Sequence, residues 1–600
     1  MERKPHIIQE LKRGMSKLRL LFFDTETKTT KETNQYKEQT FILGYSFFIR
    51  MNGDANIVQE VERPYFNTKL LAEHVDFLAV KSETLRILSC NIWFDIRVSN
   101  LLVNLVKLGF IVKSQHVKQM CVIIRLEKEG RKILIMNINQ FIPGSVKMFG
   151  ELLGLPKMEI DLKNASIHEL LPYCRRDAEI ITRIFVQWLE FIHEHDLGKM
   201  GFTLASQAFI AYRHRFMKSP IYVHGDPAFT FFERAAYYGG RTEIFFQGKR
   251  HEKKTYYLDV NSMYPHIMKK FPIPYKVRHC VDGISVSKLK TYMKSWFCIA
   301  QVAITTDKPY YPVRHNNRLC FPTGKFVTVL AQPELELATQ NKHVIWSYNV
   351  VLYDACDLFS DFVDFFYGLR QQYKKDGNKV YSYLTKRMMN SLYGKFGQRN
   401  DKIFIDEQTE EVGYESNQMV HVETGERLIE TQMGHRHIIK KEGVLEANEA
   451  FPAICAAITS YARVLLLSYI NVAGFKNVFY CDTDSIFVNE IGYRHLKAHI
   501  HPTRLGALGL EKSTEYVCIH GAKDYCWGGE RIIKGLTRLR KQISSNSWEM
   551  LQFPGYKGDI QAGMSEKYQI KKITKTLKRE YTKGIVHPNG IVTPLKLEAW

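Results

Sequence analysis

The sequence predicts an α/β fold for residues 1–195 and an α+β fold for the longer remainder, 196–600. In the first part, strand-like runs (Leu18 to Phe23, Phe41 to Ile49) alternate with helix-like runs such as Asp177 to His193. The hydrophobic fraction of 45% and the charged fraction of 24% are ordinary for globular proteins. The 12% of aromatic residues excludes disorder as the main character of the chain.

The second part contains a strand over Thr255 to Val260 and, at 399–445, segments that alternate apolar and polar residues between turn residues. Such alternation predicts a β-hairpin insertion. The longest apolar run, 450–475, is interrupted by Arg463, so no membrane span is expected.

The chain carries a net charge of +22, which predicts a polyanionic partner such as nucleic acid; the alternative is a basic surface that is only solvated. The charged N-terminus lacks the apolar core of a secretion signal. The eleven cysteines are scattered without a CxxC pair, which favours free thiols in an intracellular, reducing compartment.

Two acidic motifs mark a candidate metal site in the second part. In LDVNSMYP, Asp259 ends a strand and a helix is expected to start after Ser262; in VFYCDTDSIFV, Asp482 and Asp484 occupy a turn between two strands. Together these carboxylates can gather two divalent cations about 3.5–4 Å apart. Oxygen ligands suit Mg²⁺. An acidic turn alone is more often structural, and it is the pairing with Asp259 that favours phosphoryl-transfer chemistry.

Between these motifs, Lys386, Asn390 and Tyr393 are spaced to share one face of a helix. A cation, an amide and an aromatic ring in that order can hold a nucleoside triphosphate, with Lys374 reaching the same phosphates. Gly394 would let a base approach the backbone closely. The alternative reading is an amphipathic helix with a capping glycine.

A second acidic set lies in the motifs FFDTET, CNIWFD and YCRRD. Asp24 and Glu26 are two apart on a strand and share a face, and Tyr173 and Asp177 are four apart on a helix. With Asp95 they can hold two metal ions and orient a water molecule against a terminal phosphodiester. Each acid taken singly is more often a surface group or a helix cap.

These motifs, in their order, resemble those of family-B DNA polymerases. DxxSMYP, KxxxNSLYG and YCDTDS resemble polymerase motifs A, B and C, and the earlier set resembles motifs Exo I, II and III of the 3′–5′ proofreading domain. AYYGGR (Ala236 to Arg241) and Lys523-Asp-Tyr525 resemble the YxGG and KxY motifs of the protein-primed branch found in phages, adenoviruses and linear plasmids. Residues 311–356 and 399–445 resemble the two insertions of that branch.

The resemblance implies an RNase H-like exonuclease domain at 1–195, followed by a right-hand polymerase domain with two β-rich insertions at 196–600. Within the second domain it places, in order, the palm with insertion 1 at 311–356, fingers at 357–397, insertion 2 at 399–445, palm at 446–526 and thumb at 527–600.

The resemblance also implies roles for individual residues. Catalysis at the polymerase site falls to Asp259, Asp482 and Asp484, with metal bound by Asp259, Asp484 and the carbonyl of Val260. Nucleotide binding falls to Val260, Tyr264, Lys374, Lys386, Asn390, Tyr393 and Gly394. Tyr264 is expected to stack under the incoming sugar and exclude a 2′-hydroxyl group.

At the exonuclease site the implied metal ligands are Asp24, Glu26, Asp95 and Asp177, and Tyr173 positions the water. DNA contacts are implied for Thr27, Asn91, Phe94, Ser145, Tyr237, Gly239, Gly240, Lys523 and Tyr525, with Phe94 as a stacking platform. Ser145 opens SVKMF, which resembles the SLxxh motif with Val146 in place of leucine, and Lys157 opens KMEI, which resembles the Kx2h motif.

The sequence thus predicts a monomeric replicative DNA polymerase with proofreading, encoded by a virus, phage or linear plasmid. Its expected cofactor is Mg²⁺, two ions per site with Mn²⁺ able to substitute. Its expected partners are template/primer DNA, dNTPs and a separate terminal protein that serves as primer. The resemblance implies that the basic charge concentrates along the DNA path, at 200–250, at 369–387 and from Arg531 onward, as a channel joining the two acidic sites.

Four alternatives are weighed against this prediction. Three are other functions: an RNA-primed family-B polymerase, a nuclease whose second part only binds DNA, and a non-enzymatic DNA-binding protein. The fourth is a zinc site at His435–His437 or His495–His501. The two insertions argue against RNA priming, and the intact carboxylate sets argue against loss of activity. The histidines have no cysteine cluster beside them.

Overall fold

The computed structural model describes residues 3–162, 164–420, 422, 424–537, 540–561 and 568–598. The predicted thumb, 527–600, and its basic segments therefore extend in part over residues outside this set, Arg538 and Lys567 among them. The described chain forms three large sheets with helices packed between and around them.

The N-terminal sheet has the α/β architecture expected for the first part of the chain. Its centre is parallel, with Leu18–Glu32 beside Leu85–Ser89 and Leu85–Ser89 beside Arg131–Asn137. Antiparallel strands flank this centre: Tyr36–Met51, Ile57–Tyr65, Ile111–Lys118 and Cys121–Lys128. The helices are Thr68–Leu78, Ile92–Val98, Leu101–Lys107, Val146–Leu153 and Ile167–Glu194.

Strands from the far C-terminal part of the chain extend this same sheet. Tyr568–Thr576 pairs with the start of Tyr36–Met51, and Ser547–Gln552 and Arg540–Gln542 continue outward. In the helix Tyr556–Gln561 of the same region, Asp559 forms a buried ion pair with Arg97. The predicted thumb is thus attached to the predicted exonuclease domain by backbone pairing and by a buried charge pair.

The central sheet is antiparallel and collects segments that lie far apart in the sequence. Its strands, in spatial order, are Thr242–Ile244, Val478–Asp482, Ser485–Asn489, Gly248–Val260, Leu508–Gly521, Asp524–Trp527 and Glu530–Ile533. The strand that ends near Asp259 therefore lies directly beside the strand that follows the acidic turn. The helix predicted after Ser262 is present as Met263–Lys270.

The third sheet, called here the flanking sheet, includes two strands of the predicted insertion 311–356 and extends beyond it. Its strands, in spatial order, are His6–Ile8, Ile221–Val223, Ile273–Ile284, Val344–Cys356, Phe297–Thr306, Thr323–Ala331 and Lys596–Glu598, with helices Val286–Ser295 and Gln332–Gln340. Phe297–Thr306 pairs with Thr323–Ala331 and with Val344–Cys356, and Val344–Cys356 also pairs with Ile273–Ile284. A boundary at 311 would therefore divide one hydrogen-bonded sheet. Likewise His6–Ile8 belongs to this sheet and lies outside the N-terminal sheet.

Helices connect the central and flanking sheets. They are Leu204–Ala211, Pro227–Ala236, Met263–Lys270, Ser360–Lys375, Lys379–Ser391, Tyr393–Phe396, Pro452–Ala473 and Glu490–Leu496. Among the described residues one helix, Pro452–Ala473, is long and apolar enough to cross a membrane, but 78% of its most apolar window is buried inside the protein. Its Arg463 is paired with Glu334, and both side chains are buried. The helix therefore has the burial of a core helix.

The β-hairpin predicted over 399–445 is confirmed. Its two long strands are Arg399–Val420 and Arg427–Glu446, and three irregularities in their pairing interrupt the ladder. Two small hairpins, Val313–His315 with Arg318–Cys320 and Gly584–Val586 with Val592–Pro594, lie elsewhere on the chain. All eleven cysteines are free thiols.

Candidate active sites

The first site lies at the end of the central sheet, where Asp259 pairs in register with Ser485. The Val260 amide donates to the carbonyl oxygen of Asp484 at 2.7 Å, which ties the strand end to the acidic turn. At the tip of that turn Thr483 has a φ of 61°, a conformation that β-branched residues rarely adopt. The backbone thus brings the carboxylates of Asp259 and Asp484 together, as predicted.

The electrostatics of this pair indicate a cation site. Burial, followed by the charges of Asp484 and Glu511, raises the pKa of Asp259 to about 7. Burial also raises the pKa of Asp484. Lys386 lowers the pKa of both carboxylates and Lys523 lowers that of Asp484, yet both pKa values stay above their usual range. The negative charge of the pair is therefore only partly compensated within the protein. A divalent ion would compensate it, and the residues present fit one.

Asp482 is held differently from its two neighbours. Both of its carboxylate oxygens accept from Lys523 Nζ, at 2.7 and 2.6 Å, and it also accepts from the Thr242 hydroxyl at 3.0 Å. Its charge raises the pKa of Asp484, so the two carboxylates of the turn lie close together. Its principal partner, however, is the lysine of the KxY motif.

Three cations from the preceding helices line the opposite side of the site. Lys374 and Lys386 are exposed. Partial desolvation by its neighbours, followed by the charges of Arg370 and Lys386, lowers the pKa of Lys374. Arg370 Nη1 donates to the Ser262 hydroxyl at 3.2 Å. The sequence analysis missed Arg370, although its spacing of four from Lys374 places both on one helix face.

The single helix face predicted for Lys386, Asn390 and Tyr393 is only partly correct. Lys386 and Asn390 are exposed on Lys379–Ser391, but Tyr393 begins a separate short helix after Leu392. In the last turn of the first helix the Ser391 hydroxyl donates to the carbonyl of Arg387 at 2.7 Å, a bond of the kind that bends helices. Gly394 is exposed, and a Cβ atom there would meet open space, as a close approach by a base requires.

Tyr264 and Tyr393 form an aromatic floor for the site. Their ring centroids lie 4.7 Å apart, and both side chains are half-buried. Tyr237, the first residue of the YxGG motif, lies close enough for its phenol to raise the pKa of Tyr393 further. The rings predicted to contact the nucleotide and the DNA are therefore brought together.

The YxGG loop is built against the acidic turn. A Cβ atom at Gly240 would lie 2.8 Å from the side chain of Thr483, so only glycine fits there. Gly239 has a φ of 84°, and its carbonyl accepts from Arg463 at 2.6 Å. Arg463, an interruption in an apolar run when read from the sequence, thus supports this loop.

Tyr525, a predicted DNA-contact residue, lies near Asp482 of the acidic turn but is largely buried. It is 8% exposed and packs against Tyr480 and Phe487 in the core of the central sheet. Lys523 precedes the strand Asp524–Trp527, has a left-handed backbone conformation, and reaches Asp482 with its Nζ. Tyr525 lies within the strand, and its ring supports the central sheet.

The second site lies at the carboxyl ends of the parallel strands of the N-terminal sheet. Asp95 follows Leu85–Ser89 in the helix Ile92–Val98, and its carboxylate accepts from Thr25 at 2.6 Å and Ser89 at 2.5 Å. Burial raises the pKa of Asp95 to about 6, and these hydrogen bonds oppose the shift. Asp95 is therefore fixed in orientation before any ligand binds.

Four acidic side chains converge here, as predicted. Burial, then the charges of Asp95, Glu26 and Asp177, raise the pKa of Asp24 well above its usual range. Burial and the charge of Asp177 raise the pKa of Glu26 to about 8. Asp177 is 3% exposed, and its Oδ1 has no hydrogen-bond partner among the described residues. An acidic cluster with a spare buried oxygen fits divalent cations.

Lys157 joins this cluster from the segment that resembles the Kx2h motif. It forms an ion pair with Asp177, and its Nζ lies 4.3 Å from the centre of the Tyr173 ring. Cys174 is also at the site, with its thiol 3.4 Å from the carbonyl oxygen of Asp24. The sequence analysis assigned Cys174 no role, because an isolated cysteine carries no spacing signal.

The predicted single-strand contacts are placed around this cluster. The Thr27 hydroxyl donates to Gln39 at 3.0 Å, and Asn91 is exposed at the start of its helix. The Ser145 hydroxyl accepts from the Met148 amide at 3.3 Å and so caps Val146–Leu153.

Phe94 is half-buried and already has a stacking partner. Its ring packs edge-on against Tyr568 of the C-terminal strands, with centroids 5.1 Å apart. Part of the surface predicted for a DNA base is therefore covered by the predicted thumb.

Comparison with solved structures gives the same fold. The chain superimposes on phi29 DNA polymerase in its orthorhombic crystal form with a TM-score of 0.63 at 16% identity, covering 94% of this chain and 100% of that one. A ternary complex of the same polymerase with primer-template DNA and incoming nucleotides gives the same TM-score and coverage. The RNase H-like exonuclease and right-hand polymerase architecture expected from the sequence is thus confirmed.

Curated relatives point to the same group of proteins. A probable DNA polymerase of Neurospora intermedia is 23% identical over 445 residues, 70% of this chain and 43% of that protein. The DNA-directed DNA polymerase of Enterobacteria phage PRD1 is 27% identical over 383 residues, 63% of each protein. The chain thus aligns with less than two thirds of the length of these relatives.

The family model for DNA polymerase type B, organellar and viral, matches residues 155–491, more than half of the chain. The match runs from Lys157 and Asp177 of the second site to the acidic turn of the first. Polymerases of this family are generally metal-dependent, as two carboxylate clusters lead one to expect. The chain belongs to the organellar and viral type B DNA polymerase family.

Proposed function

We propose that this protein is a DNA-directed DNA polymerase that adds dNTPs to a primer and removes misplaced 3′ nucleotides. One observation carries the proposal: the central sheet brings Asp259 and Asp484 together across more than two hundred residues of sequence, opposite the cations of another segment. This arrangement has the ligands for metal ions on one side and the charges for a triphosphate on the other.

At the polymerase site, one set of residues binds metal ions and another binds the nucleotide substrate. Asp259, Asp484 and the Val260 carbonyl would hold two Mg²⁺ ions, which supply activation of the primer hydroxyl and stabilisation of the pyrophosphate. Lys374 and Lys386 bind the phosphates and neutralise the charge that develops on the leaving group. Their positions on paired helices orient the triphosphate before reaction.

The aromatic floor selects the sugar. Tyr264 and Tyr393, with ring centroids 4.7 Å apart and planes tilted by 35°, present an aromatic surface at which a deoxyribose fits and a 2′-hydroxyl group collides. The half-buried state of both rings limits their movement. This proposal keeps the role that the resemblance implied for Tyr264.

The second site would remove 3′ nucleotides. Asp24, Glu26, Asp95 and Asp177 would hold two Mg²⁺ ions, which activate the attacking water and stabilise the departing oxygen. Tyr173 lies against Lys157 and within reach of the cluster, so its hydroxyl group positions the water. Mn²⁺ has the same preference for oxygen ligands and is expected to substitute at both sites.

We further propose that a separate terminal protein supplies the priming hydroxyl group. The hairpin Arg399–Glu446 and the flanking sheet supply the two β-rich additions expected of the protein-primed branch, and Gly240 packs on Thr483 as the YxGG motif requires. We expect a monomer encoded by a virus or linear plasmid. The free thiols agree with an intracellular, reducing compartment.

The direct test of polymerisation is extension of a labelled primer on a template with Mg²⁺ and four dNTPs. Template-directed extension, with order of incorporation following the template, supports the proposal; degradation without extension at any dNTP concentration overturns it. For priming, a candidate terminal protein is incubated with labelled dNTP and Mg²⁺ or Mn²⁺. Covalent labelling of that partner supports protein priming, and extension from RNA primers alone favours the RNA-primed alternative.

A further inference from the structure

Cys174 places a sulfur atom inside the acidic cluster of the exonuclease site. Its thiol is fully buried, 3.4 Å from the carbonyl oxygen of Asp24 and 4.0 Å from Oδ2 of the same residue. Its Sγ and one carboxylate oxygen each from Asp24 and Glu26 lie within 4.8 Å of one another. Among the described residues, it is the one group of three or more Asp, Glu, His or Cys side chains whose ligand atoms lie this close together.

A separate observation shows that the cluster has spare coordinating capacity. Asp177 is only 3% exposed, and Lys157 contacts only its Oδ2. Its Oδ1 has no hydrogen-bond partner in the described part of the chain. A buried carboxylate oxygen without a donor is costly unless a cation completes it.

We propose that Cys174 makes the exonuclease site a binding site for thiophilic divalent cations such as Zn²⁺ and Cd²⁺, with Asp24 and Glu26 as its other ligands. Bound there, such an ion competes with Mg²⁺ and selectively arrests excision. The inference rests on the proposed exonuclease function for the inhibition, while the binding itself depends only on the three side chains.

The geometry and the chemistry of the ligands support this site. In tetrahedral coordination, Zn–S bonds of about 2.3 Å and Zn–O bonds of about 2.0–2.2 Å place the ligand atoms about 3.4–3.6 Å apart. The three ligand atoms lie within 4.8 Å of one another without an ion, so binding would draw the side chains together. Thiolate ligands select soft ions, whereas the oxygen ligands of the polymerase site favour Mg²⁺ and Mn²⁺.

Metal binding changes the protonation of the thiol. The Cys174 S–H now donates to the carbonyl oxygen of Asp24. When the sulfur–metal bond forms, the S–H bond breaks and its proton leaves to water, so one proton is released by this residue for each ion bound. No change of oxidation state is involved.

The binding test is titration of the metal-free protein with Cd²⁺, followed by the ultraviolet sulfur-to-cadmium charge-transfer absorption. The variants are Cys174→Ser, Cys174→Ala and, as a matched control, Cys90→Ala, which removes another buried thiol beside the same cluster. We expect the tightest phase of the absorption to be lost in both Cys174 variants and retained in Cys90→Ala. Equal absorption at equal affinity in the Cys174 variants would overturn the proposal.

A fourth variant checks that carboxylates share the ion. Asp24→Asn should weaken Cd²⁺ binding by at least the roughly 10–100-fold that is lost when an outer-shell partner of a metal ligand is removed, because Asp24 is a direct ligand. Thermal unfolding of each variant shows that it is folded. Unchanged Cd²⁺ affinity in Asp24→Asn would place the ion elsewhere and reject the site.

The functional test compares both activities of one preparation at fixed Mg²⁺ and rising Zn²⁺, each relative to its value without Zn²⁺. We expect half-inhibition of excision at a Zn²⁺ concentration roughly tenfold or more below that for extension, and a shift of roughly 10–100-fold to higher Zn²⁺ in Cys174→Ser. An absence of Mg²⁺-dependent excision, with Cd²⁺ binding intact, would refute the exonuclease proposal and leave the metal site standing. Excision with unaltered Zn²⁺ sensitivity in Cys174→Ser would refute the site and leave the exonuclease standing.

Discussion

Lys523 Nζ lies 2.7 and 2.6 Å from the two carboxylate oxygens of Asp482, so the lysine of the KxY motif is bound to the first aspartate of the acidic turn. Lys523 itself has a φ of 61°, a left-handed conformation that is uncommon outside glycine. The charge of Asp482 raises the pKa of Asp484, and the charge of Lys523 lowers it. The ion pair therefore adjusts the electrostatics of the metal-binding carboxylate two residues away.

Replacement of Lys523 with methionine should move the acidic limb of the pH–rate profile for primer extension to higher pH. Without the lysine, Asp482 repels the ionised form of Asp484 and raises its pKa further. Lys523→Arg should keep the limb in place, and adding Asp482→Asn to Lys523→Met should return it toward its original position. An acidic limb that stays fixed in Lys523→Met would contradict this role.

The stability of the metal-free protein should fall as the pH rises from about 4.5 to about 8. The folded-state pKa of Glu26 is raised from 4.5 to about 8, so the folded state holds its proton more tightly than the unfolded chain. Stability from this group is then fully present below the lower value and is lost as pH rises through the higher one, by a few kcal/mol at most.

Chemical denaturation with a chelator present, at several pH values, measures this loss. Glu26→Gln should flatten the decline, and adding Mg²⁺ should restore stability at pH 8 through binding to the folded state. A metal-free stability that is level across this range, or that rises, is incompatible with the acidic cluster as described.

Replacement of Asp559 should destabilise the protein by about 3–5 kcal/mol, because it breaks a buried ion pair with Arg97. The two side chains are only 2% and 6% exposed. Asp559→Ala tests the loss by urea unfolding, and Arg97→Met with Asp559→Leu should recover part of it. Because Arg97 shares a helix with Asp95, excision by Asp559→Ala should fall more than extension does. A stability change below about 0.5 kcal/mol would show that the pair is dispensable.

Truncation of Tyr264 to valine should admit ribonucleotides. Loss of the ring opens the space beside Tyr393 that a 2′-hydroxyl group would occupy. A steric barrier of about 1–3 kcal/mol corresponds to a loss of roughly 10–200-fold in dNTP over rNTP preference, measured as kcat/KM for single incorporations. Tyr264→Phe keeps the ring and should keep the preference; equal discrimination by the valine variant would exclude Tyr264 as the selector.

Local spacing was sufficient to predict much of both sites. Asp24 and Glu26 share a face because strands repeat every two residues, and Tyr173 and Asp177 share one because helices repeat every 3.6. The turn carrying Asp484 followed from two apolar strands around a short acidic link. The roles of larger sets came from the resemblance, whose family and fold the comparisons support.

Contacts between distant segments could not be predicted from such patterns. The pairing of Lys523 with Asp482 and of Arg97 with Asp559 depends on strand pairings that no local period encodes. The burial of Tyr525 follows from the depth of its strand in the central sheet, which an alternating pattern does not reveal. The extent of the flanking sheet could not be predicted for the same reason, because Ile273–Ile284 and Phe297–Thr306 both pair with Val344–Cys356, which follows later in the sequence.

The central claim is that two separate carboxylate sites carry two opposed activities on one DNA end. Its most direct measurement follows a single 5′-labelled primer on a template, with Mg²⁺, in the presence and absence of dNTPs. We expect Asp484→Asn to abolish extension of the primer and retain its shortening. The double variant Asp24→Ala with Glu26→Ala is expected to abolish shortening and retain extension. Loss of both activities together in either folded variant would contradict it.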